Sequence, residues 1–152
     1  MTAGTEACDD GDKADGDGCT SNCSCGSLID ESIAFVVGRS CYVLVTKPQS
    51  WLDARGTCIQ AGMDLATIST ATDLTSVKPT IEGAVVWIGG NDIGTEGTFL
   101  WGNGESLTNT SDLWADQEPD WWWPEGEDCV AIETGGFYDR ICGDKLHFLC
   151  ER

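Results

Sequence analysis

Nine cysteines spread along 152 residues restrict the fold of this chain more than any other feature of its sequence. Only Cys19, Cys23 and Cys25 lie close together and His147 is the only histidine, so the paired Cys/His knuckles of a structural zinc site are missing. Disulfide bonds are the favoured interpretation, and they indicate a secreted or cell-surface protein. Because nine is odd, one cysteine is free, pairs between chains, or has its partner upstream of this chain, and we favour the last.

The charge balance of the chain excludes several classes of partner. Asp and Glu number 26 against 8 Lys and Arg, which gives a formal net charge of -18. This charge opposes binding to nucleic acid and to anionic membranes, and it favours cationic partners or metal ions. Hydrophobic residues make up 41% of the sequence, too many for a disordered acidic chain. No apolar run is long enough for a membrane span and residues 1–4 do not begin a signal peptide, so we expect a folded extracellular fragment.

The first 25 residues differ in composition from the rest. Between Cys8 and Cys25 there is no Val, Ile, Leu, Phe or Trp, and glycines separate five aspartates, Asp9, Asp10, Asp12, Asp15 and Asp17. A Ca²⁺-binding loop and a solvated acidic linker both remain open. The run from Cys8 to Cys23 also resembles the Asp/Gly/Cys-rich repeat of myxobacterial and other bacterial surface proteins. We therefore predict two units, residues 1–24 as a repeat fragment or linker and residues 25–152 as the main domain.

Local patterns predict two helices and five strands in the main domain. Ser50 followed by Asp53 is typical of a helix N-terminus, and this helix is predicted to end before Gly62. Ser69 or Thr70 is expected to cap a second helix that Pro79 ends. Short apolar and β-branched runs predict strands at Ile33–Val37, Tyr42–Val45, Ala84–Ile88, Cys129–Ile132 and His147–Cys150.

A long stretch between the third and fourth predicted strands has little periodicity and a strongly one-sided charge. Residues 88–139 contain no Lys or Arg but twelve acids. These are Asp92, Glu96, Glu105, Asp112, Asp116, Glu118, Asp120, Glu125, Glu127, Asp128, Glu133 and Asp139. Because unpaired acids repel one another, a bound divalent cation is the simplest compensation. A loop of this length inside a compact domain indicates function.

Several sequence motifs occur in an order that is typical of one protein family. They are Cys41-Tyr42, Trp87-Ile88-Gly89-Gly90, Glu118-Pro119-Asp120, Gly126-Glu127-Asp128-Cys129, and the closing set Asp139, Cys142 and Phe148-Leu149-Cys150-Glu151. From about residue 41 to residue 152, the chain resembles the C-type lectin domain in the order and spacing of these motifs. The resemblance implies a disulfide-stapled α+β domain with two helices, small antiparallel sheets and a long Ca²⁺-binding loop region. It also places Trp51, Trp87 and Trp101 in the core.

The same resemblance implies how the cysteines pair. It joins Cys58 to Cys150 and Cys129 to Cys142. In the long form of the family, Cys41 pairs with an upstream cysteine, for which Cys25 is the first choice and Cys23 the second.

The resemblance also assigns metal-binding positions. Glu118 and Asp120 flank Pro119, a cis proline in the sugar-binding members, and they match the first two ligands of the principal Ca²⁺ site. Glu127 and Asp139 match the later ligands. The auxiliary site of the family corresponds to Asp92, Glu96, Glu127 and Asp128. Carboxylate oxygens suit Ca²⁺, which takes six to eight oxygen ligands, and do not suit zinc.

The same resemblance also implies which residues contact sugar, with three departures. The expected sugar-contacting positions are Glu118, Asp120, Glu127, Trp122, Tyr138 and Asp139. Tyr138 stands where the family usually has Asn. Glu118-Pro119-Asp120 mixes the mannose-type pattern Glu-Pro-Asn with the galactose-type pattern Gln-Pro-Asp, so the sugar type stays open. Trp121 stands in place of an auxiliary-site acid, and Trp122 has the offset of the Trp that packs on sugars in galactose-type members.

We therefore predict a Ca²⁺-dependent carbohydrate-binding module of an extracellular protein, with Ca²⁺ as its cofactor and glycans as its partners. The alternative is a C-type-lectin-like module that binds protein ligands through the acidic, Trp-rich loop. An enzyme is not expected. Carboxylates engaged on Ca²⁺ do not serve as the acid and base of a glycoside hydrolase, and no catalytic histidine pair or reactive cysteine accompanies them.

Overall fold

Two helices and seven strands make up the regular structure of residues 29–38, 40–108, 111–120 and 126–152, which are the residues that the computed structural model describes. In chain order they are β1 (Ser32–Val37), β2 (Ser40–Gln49), α1 (Trp51–Gln60), β3 (Asp64–Leu65), α2 (Ala71–Ile81), β4 (Val86–Asn91), β5 (Cys129–Glu133), β6 (Gly136–Arg140) and β7 (Leu146–Glu151). The predicted α+β class is confirmed. The predicted N-terminal unit, Cys25 and Trp122 lie outside the described residues.

The strands follow one hydrogen-bonded order, β1-β2-β7-β4-β5-β6, with β3 attached to β7. Only β4 and β7 run parallel among the described pairs, and the others are antiparallel. At one end of the domain, the Arg152 N–H donates to the Cys41 carbonyl over 3.0 Å, so the start of β2 and the end of β7 lie side by side. The acidic stretch leaves the sheet after β4 and returns at β5. Its two ends are therefore held on neighbouring strands.

All five predicted strands are present, but the sequence patterns missed β3 and β6. β6 forms a hairpin with β5 in which Val130 faces Asp139. It escapes prediction because two of its five residues are charged and it begins with Gly136, so no apolar run marks it. β3 has only two residues, too few for any periodicity.

Both helices begin where the capping residues predict. The Ser50 hydroxyl accepts the Asp53 N–H at α1, and the Thr70 hydroxyl accepts the Asp73 N–H at α2. The predicted end of α2 at Pro79 is wrong, because the helix continues to Ile81. Proline in the last turn removes one hydrogen bond, whereas burial of Ile81 at 5% exposure favours the helical conformation there.

The three tryptophans assigned to the core are buried, with Trp51, Trp87 and Trp101 at most 4% exposed. The Trp51 indole N–H donates to the Ile88 carbonyl over 2.8 Å and ties α1 to β4. This hydrogen bond satisfies the one polar group that the buried indole carries.

Two disulfides close the domain as the resemblance implies. Cys58–Cys150 joins α1 to β7, and Cys129–Cys142 joins the start of β5 to the turn before β7. In the chain-entropy model, a loop of the second size contributes about 3 kcal/mol. Cys41 is also disulfide-bonded. Its pairing with Cys25, which lies outside the described residues, stays a prediction.

Two glycines provide a matched test of this packing. A Cβ on Gly89 would lie 2.9 Å from the Leu65 carbonyl oxygen, whereas a Cβ on Gly56 in α1 would meet nothing within 4 Å. Gly89→Ala is expected to lower the free energy of unfolding by about 1 to 3 kcal/mol. Gly56→Ala is expected to raise it by about 0.5 to 1 kcal/mol. Urea unfolding with intact disulfides measures both, and equal stability of the two variants would contradict the prediction.

Candidate functional site

Two acids of the loop converge on a third acid that lies on β6. One carboxylate oxygen from each of Glu118, Asp120 and Asp139 lies within 4.8 Å of the other two. The Glu118–Pro119 peptide bond is cis, as in the sugar-binding members that the sequence resembles. The Asp120 N–H donates to an oxygen of Asp139 over 3.1 Å and to one of Glu118 over 3.3 Å. We call Glu118, Asp120, Glu127 and Asp139 the principal cluster.

The loop that carries Glu118 is anchored on β6. The Ala115 N–H donates to the Phe137 carbonyl over 3.0 Å, and the Glu118 N–H donates to the Ala115 carbonyl over 3.0 Å. Gln117 adopts a positive φ of 70°, which turns the chain before Glu118. Asp139 lies two residues after Phe137 on the same strand. The sheet therefore sets the distance between the loop acids and Asp139.

Glu127 joins the principal cluster through Asp120, with which it forms a side-chain hydrogen bond. Two carboxylates in such contact need a shared proton or a cation between them. The nearby Arg140 guanidinium does not fill this role alone, because it contacts Glu133 and lies 3.5 Å from Asp144. The contact between Glu127 and Asp120 therefore requires a positive charge close by when both side chains are ionised.

Burial raises the pKa of two acids in the principal cluster. Asp139 is 5% exposed, and its burial, together with its hydrogen bond to Glu118, raises its pKa from 3.8 to about 8. Burial and the contact with Asp120 raise the pKa of Glu127 to about 7. Both shifts express the cost of keeping negative charges together away from water. A divalent cation would remove that cost.

A second group of acids joins the start of the loop stretch to its end, where the Asp92 N–H donates to the Asp128 carbonyl over 2.9 Å. Asp92, Glu96 and Asp128 bring one oxygen each within 4.8 Å of one another. We call these three the auxiliary cluster. Asp92 is 3% exposed, and one of its oxygens accepts the Gly97 N–H over 2.7 Å. Burial raises the pKa of Asp92 to about 6.

Orphaned oxygens in the auxiliary cluster indicate a missing partner. Within residues 29–38, 40–108, 111–120 and 126–152, the Oδ1 atoms of Asp92 and Asp128 are buried without a hydrogen-bond donor. Leaving a buried acceptor unsatisfied costs about 1 to 3 kcal/mol. Since both clusters offer only oxygen ligands, both fit Ca²⁺ and neither fits zinc.

Tyr138 lies on β6 beside the principal cluster, but its hydroxyl is turned toward the β5–β6 hairpin. A Cβ on Gly135 would lie 2.9 Å from the Tyr138 hydroxyl oxygen and 3.4 Å from Ala115 Cβ. Gly135 therefore makes room for the phenol. Tyr138 thus places a phenol in contact with Gly135 at the position where the resemblance implies Asn.

Sequence reasoning missed the backbone groups that hold these acids. The Gly97 N–H fixes Asp92, and the Ala115 carbonyl holds Glu118. Gly97 has a positive φ of 79°, so the sequence Glu96-Gly97 carried a turn signal. Ala115 carried no signal, because its contribution comes from its carbonyl group.

Comparison with known proteins identifies relatives among the C-type lectins. The family model for the lectin C-type domain matches residues 47–152. Lectin BRA-3 of Megabalanus rosa is 31% identical over 138 residues, covering 87% of this chain and 81% of that protein. C-type mannose receptor 2 of Rattus norvegicus is 31% identical over 116 residues, 74% of this chain but only 8% of the receptor.

A solved structure shows the same fold. The cow C-type carbohydrate-recognition domain of CD23, determined in the presence of GlcNAc2Man3 oligosaccharide, superimposes with a TM-score of 0.70 at 26% identity. The match covers 84% of this chain and 97% of that domain.

Proposed function

The chain belongs to the C-type lectin domain family, and from this premise we propose that it is a Ca²⁺-dependent carbohydrate-binding module of an extracellular protein, without enzymatic activity. The observation that carries the proposal is the convergence of Glu118, Asp120 and Asp139, whose carboxylate oxygens lie within 4.8 Å of one another. The CD23 structure, with oligosaccharide present, supports glycans as the ligand class. The sugar type is left open by the mixed Glu-Pro-Asp motif.

Each part of the principal cluster has a separate task in this proposal. Glu118, Asp120, Glu127 and Asp139 would hold the ion with carboxylate oxygens. A bound Ca²⁺ would supply coordination to two vicinal hydroxyls, and the carboxylates would accept hydrogen bonds from those hydroxyls. The Asp120 N–H keeps Glu118 and Asp139 oriented. Trp122 is proposed to pack on the apolar face of the sugar, in keeping with its position two residues after Asp120.

The auxiliary cluster would hold a second Ca²⁺ and stiffen the loop. Asp92 and Asp128 supply the orphaned oxygens, and Glu96 adds a third carboxylate. Because Asp128 follows Glu127 directly, an ion there would also orient the backbone that carries Glu127. The disulfide Cys129–Cys142 anchors the next residue.

Location outside the cell is proposed from the disulfides and from the family. Among the helices in the described residues, none is long and apolar enough to cross a bilayer.

Retention on immobilised mannose, galactose and amino sugars tests the proposed function. We expect binding to at least one sugar in 1 mM free Ca²⁺, and a loss of at least about tenfold when EDTA replaces Ca²⁺. Asp139→Asn is expected to show the same loss, because it removes a buried ligand. Asp112→Asn is the matched control, since Asp112 is an exposed acid of the same stretch. Equal retention in Ca²⁺ and EDTA would refute the metal-dependent mechanism.

A protein-interaction module is the second candidate, favoured by the orientation of Tyr138 toward Gly135. Because residue 138 is Tyr, the side-chain amide that contacts both ion and sugar in the family is missing. Competition distinguishes the two candidates. Free monosaccharide at millimolar concentration displaces a lectin from its glycan, but it leaves a protein-binding loop engaged.

A further inference from the structure

The principal cluster differs from the two sugar-binding patterns in its hydrogen-bond chemistry. Glu-Pro-Asn and Gln-Pro-Asp each combine one carboxylate with one amide, whereas Glu118 and Asp120 are both carboxylates. Ionised carboxylates accept hydrogen bonds and donate none. Glu127 and Asp139 are also acids. A ligand group at these four side chains must therefore be a donor.

Tyr138 does not restore a donor to the principal cluster. Its hydroxyl lies against Gly135, at the turn that precedes β6. Asp139 lies four residues beyond Gly135, about 13 Å along the strand at the usual rise. The phenol thus points away from the end of β6 where the cluster lies.

The charge of the cluster exceeds what one divalent ion neutralises. Its four carboxylates carry four negative charges when ionised, and Ca²⁺ offsets two of them. Arg140 is engaged by Glu133 and Asp144, and residues 88–139 contain no Lys or Arg. The loaded site keeps about two negative charges in a half-buried setting, where they are screened less than on an open surface.

We propose that the preferred ligand carries an ammonium group next to a hydroxyl, as in 2-amino-2-deoxy sugars such as glucosamine. Its hydroxyl takes the role of a sugar hydroxyl in the proposed function, on which this inference rests. Its ammonium donates hydrogen bonds to the carboxylates of the principal cluster, which contains no side-chain amide. It also offsets part of the negative charge that Ca²⁺ leaves there. Such charge-assisted hydrogen bonds are shorter and stronger than neutral ones.

Titration calorimetry of the full chain at pH 7 tests this inference with matched sugars. In 1 mM Ca²⁺ we expect glucosamine to bind at least about fivefold more tightly than N-acetylglucosamine, which keeps the ring but loses the charge. The preference should shrink in 0.5 M NaCl, because salt screens the charge. Asp120→Asn creates the Glu-Pro-Asn pattern and is expected to reduce the preference at least threefold. Asp112→Asn is expected to leave it unchanged.

The outcomes separate this inference from the proposed function. If Ca²⁺ itself gives no binding signal that Asp139→Asn abolishes, the proposed function fails and the inference fails with it. If Ca²⁺ binds and mannose, galactose or N-acetylglucosamine binds as tightly as glucosamine, only the inference is overturned. Equal glucosamine binding in EDTA overturns it as well. Lysine amide serves as a probe for a simple amine, and binding as tight as that of glucosamine would replace the amino sugar with a basic protein partner.

Discussion

Free Ca²⁺ at 100 times its dissociation constant is expected to raise the melting temperature of the full chain by about 5 to 10 °C per site. The rise follows because the ligands of each site come together only in the folded domain, so the ion binds the folded state selectively. Asp139→Asn is expected to lower the response at the principal cluster, and Asp92→Asn the response at the auxiliary cluster. The double variant is expected to abolish it.

Thermal melts with matched Ca²⁺, Mg²⁺ and EDTA samples measure these responses. Each variant is compared with its own EDTA sample, because removing a buried charge also changes the stability of the metal-free protein. Mg²⁺ should raise the melting temperature less, since it demands octahedral geometry and keeps its waters. Asp112→Asn is expected to keep the full rise in melting temperature, because Asp112 belongs to neither cluster. A double variant that still responds like the parent protein would exclude both clusters as the stabilising sites.

Metal-free protein is expected to lose stability as the pH rises from 5 to 9. Asp139 and Glu127 have ordinary pKa values of 3.8 and 4.5, and in the folded protein these values rise to about 8 and about 7. Between the unfolded and folded pKa values, the folded state binds more protons than the unfolded state. The stabilisation is therefore complete below about pH 4 and is lost as the pH rises through 7 and 8.

Saturating Ca²⁺ is expected to reverse this dependence near neutral pH. The ligands must be deprotonated to bind the ion, so the affinity for Ca²⁺ increases with pH while the metal-free domain weakens. Urea unfolding at half-unit pH steps, in EDTA and in Ca²⁺, gives the two curves. Asp139→Asn should flatten the EDTA curve between pH 6 and 8, because amides do not titrate. An EDTA curve that rises with pH across this range would show that the buried acids are not protonated as described.

The resemblance in the sequence predicted the fold, and local patterns predicted most of its elements. Ser50 and Thr70 marked the helix starts correctly because capping depends on residues three positions apart. The strands that carry apolar runs were also predicted correctly, because such a run is a local signal. Strand β6 was missed because it is defined by its contacts with β5 and with the loop, and not by a local pattern. Its buried Asp139 lies beside the acids of the loop, and no pattern within the strand indicates this contact.

The composition of the principal cluster was predicted from aligned motifs, but its internal contacts were not. No spacing rule indicates that the Asp120 N–H holds Asp139, or that the Glu127 side chain contacts Asp120. The orientation of Tyr138 depends on Gly135, which the sequence alone does not link to the metal site. These contacts arise when β6 and the loop meet. They determine how the four carboxylates are arranged around one another.

The hydrogen bond from Arg152 to Cys41 ties the end of β7 to the start of β2. A segment tied to the sheet in this way frays less than a free one. Copies of the domain attached to one scaffold through this segment would therefore be held firmly, and they would bind a multivalent surface with an avidity set by their spacing.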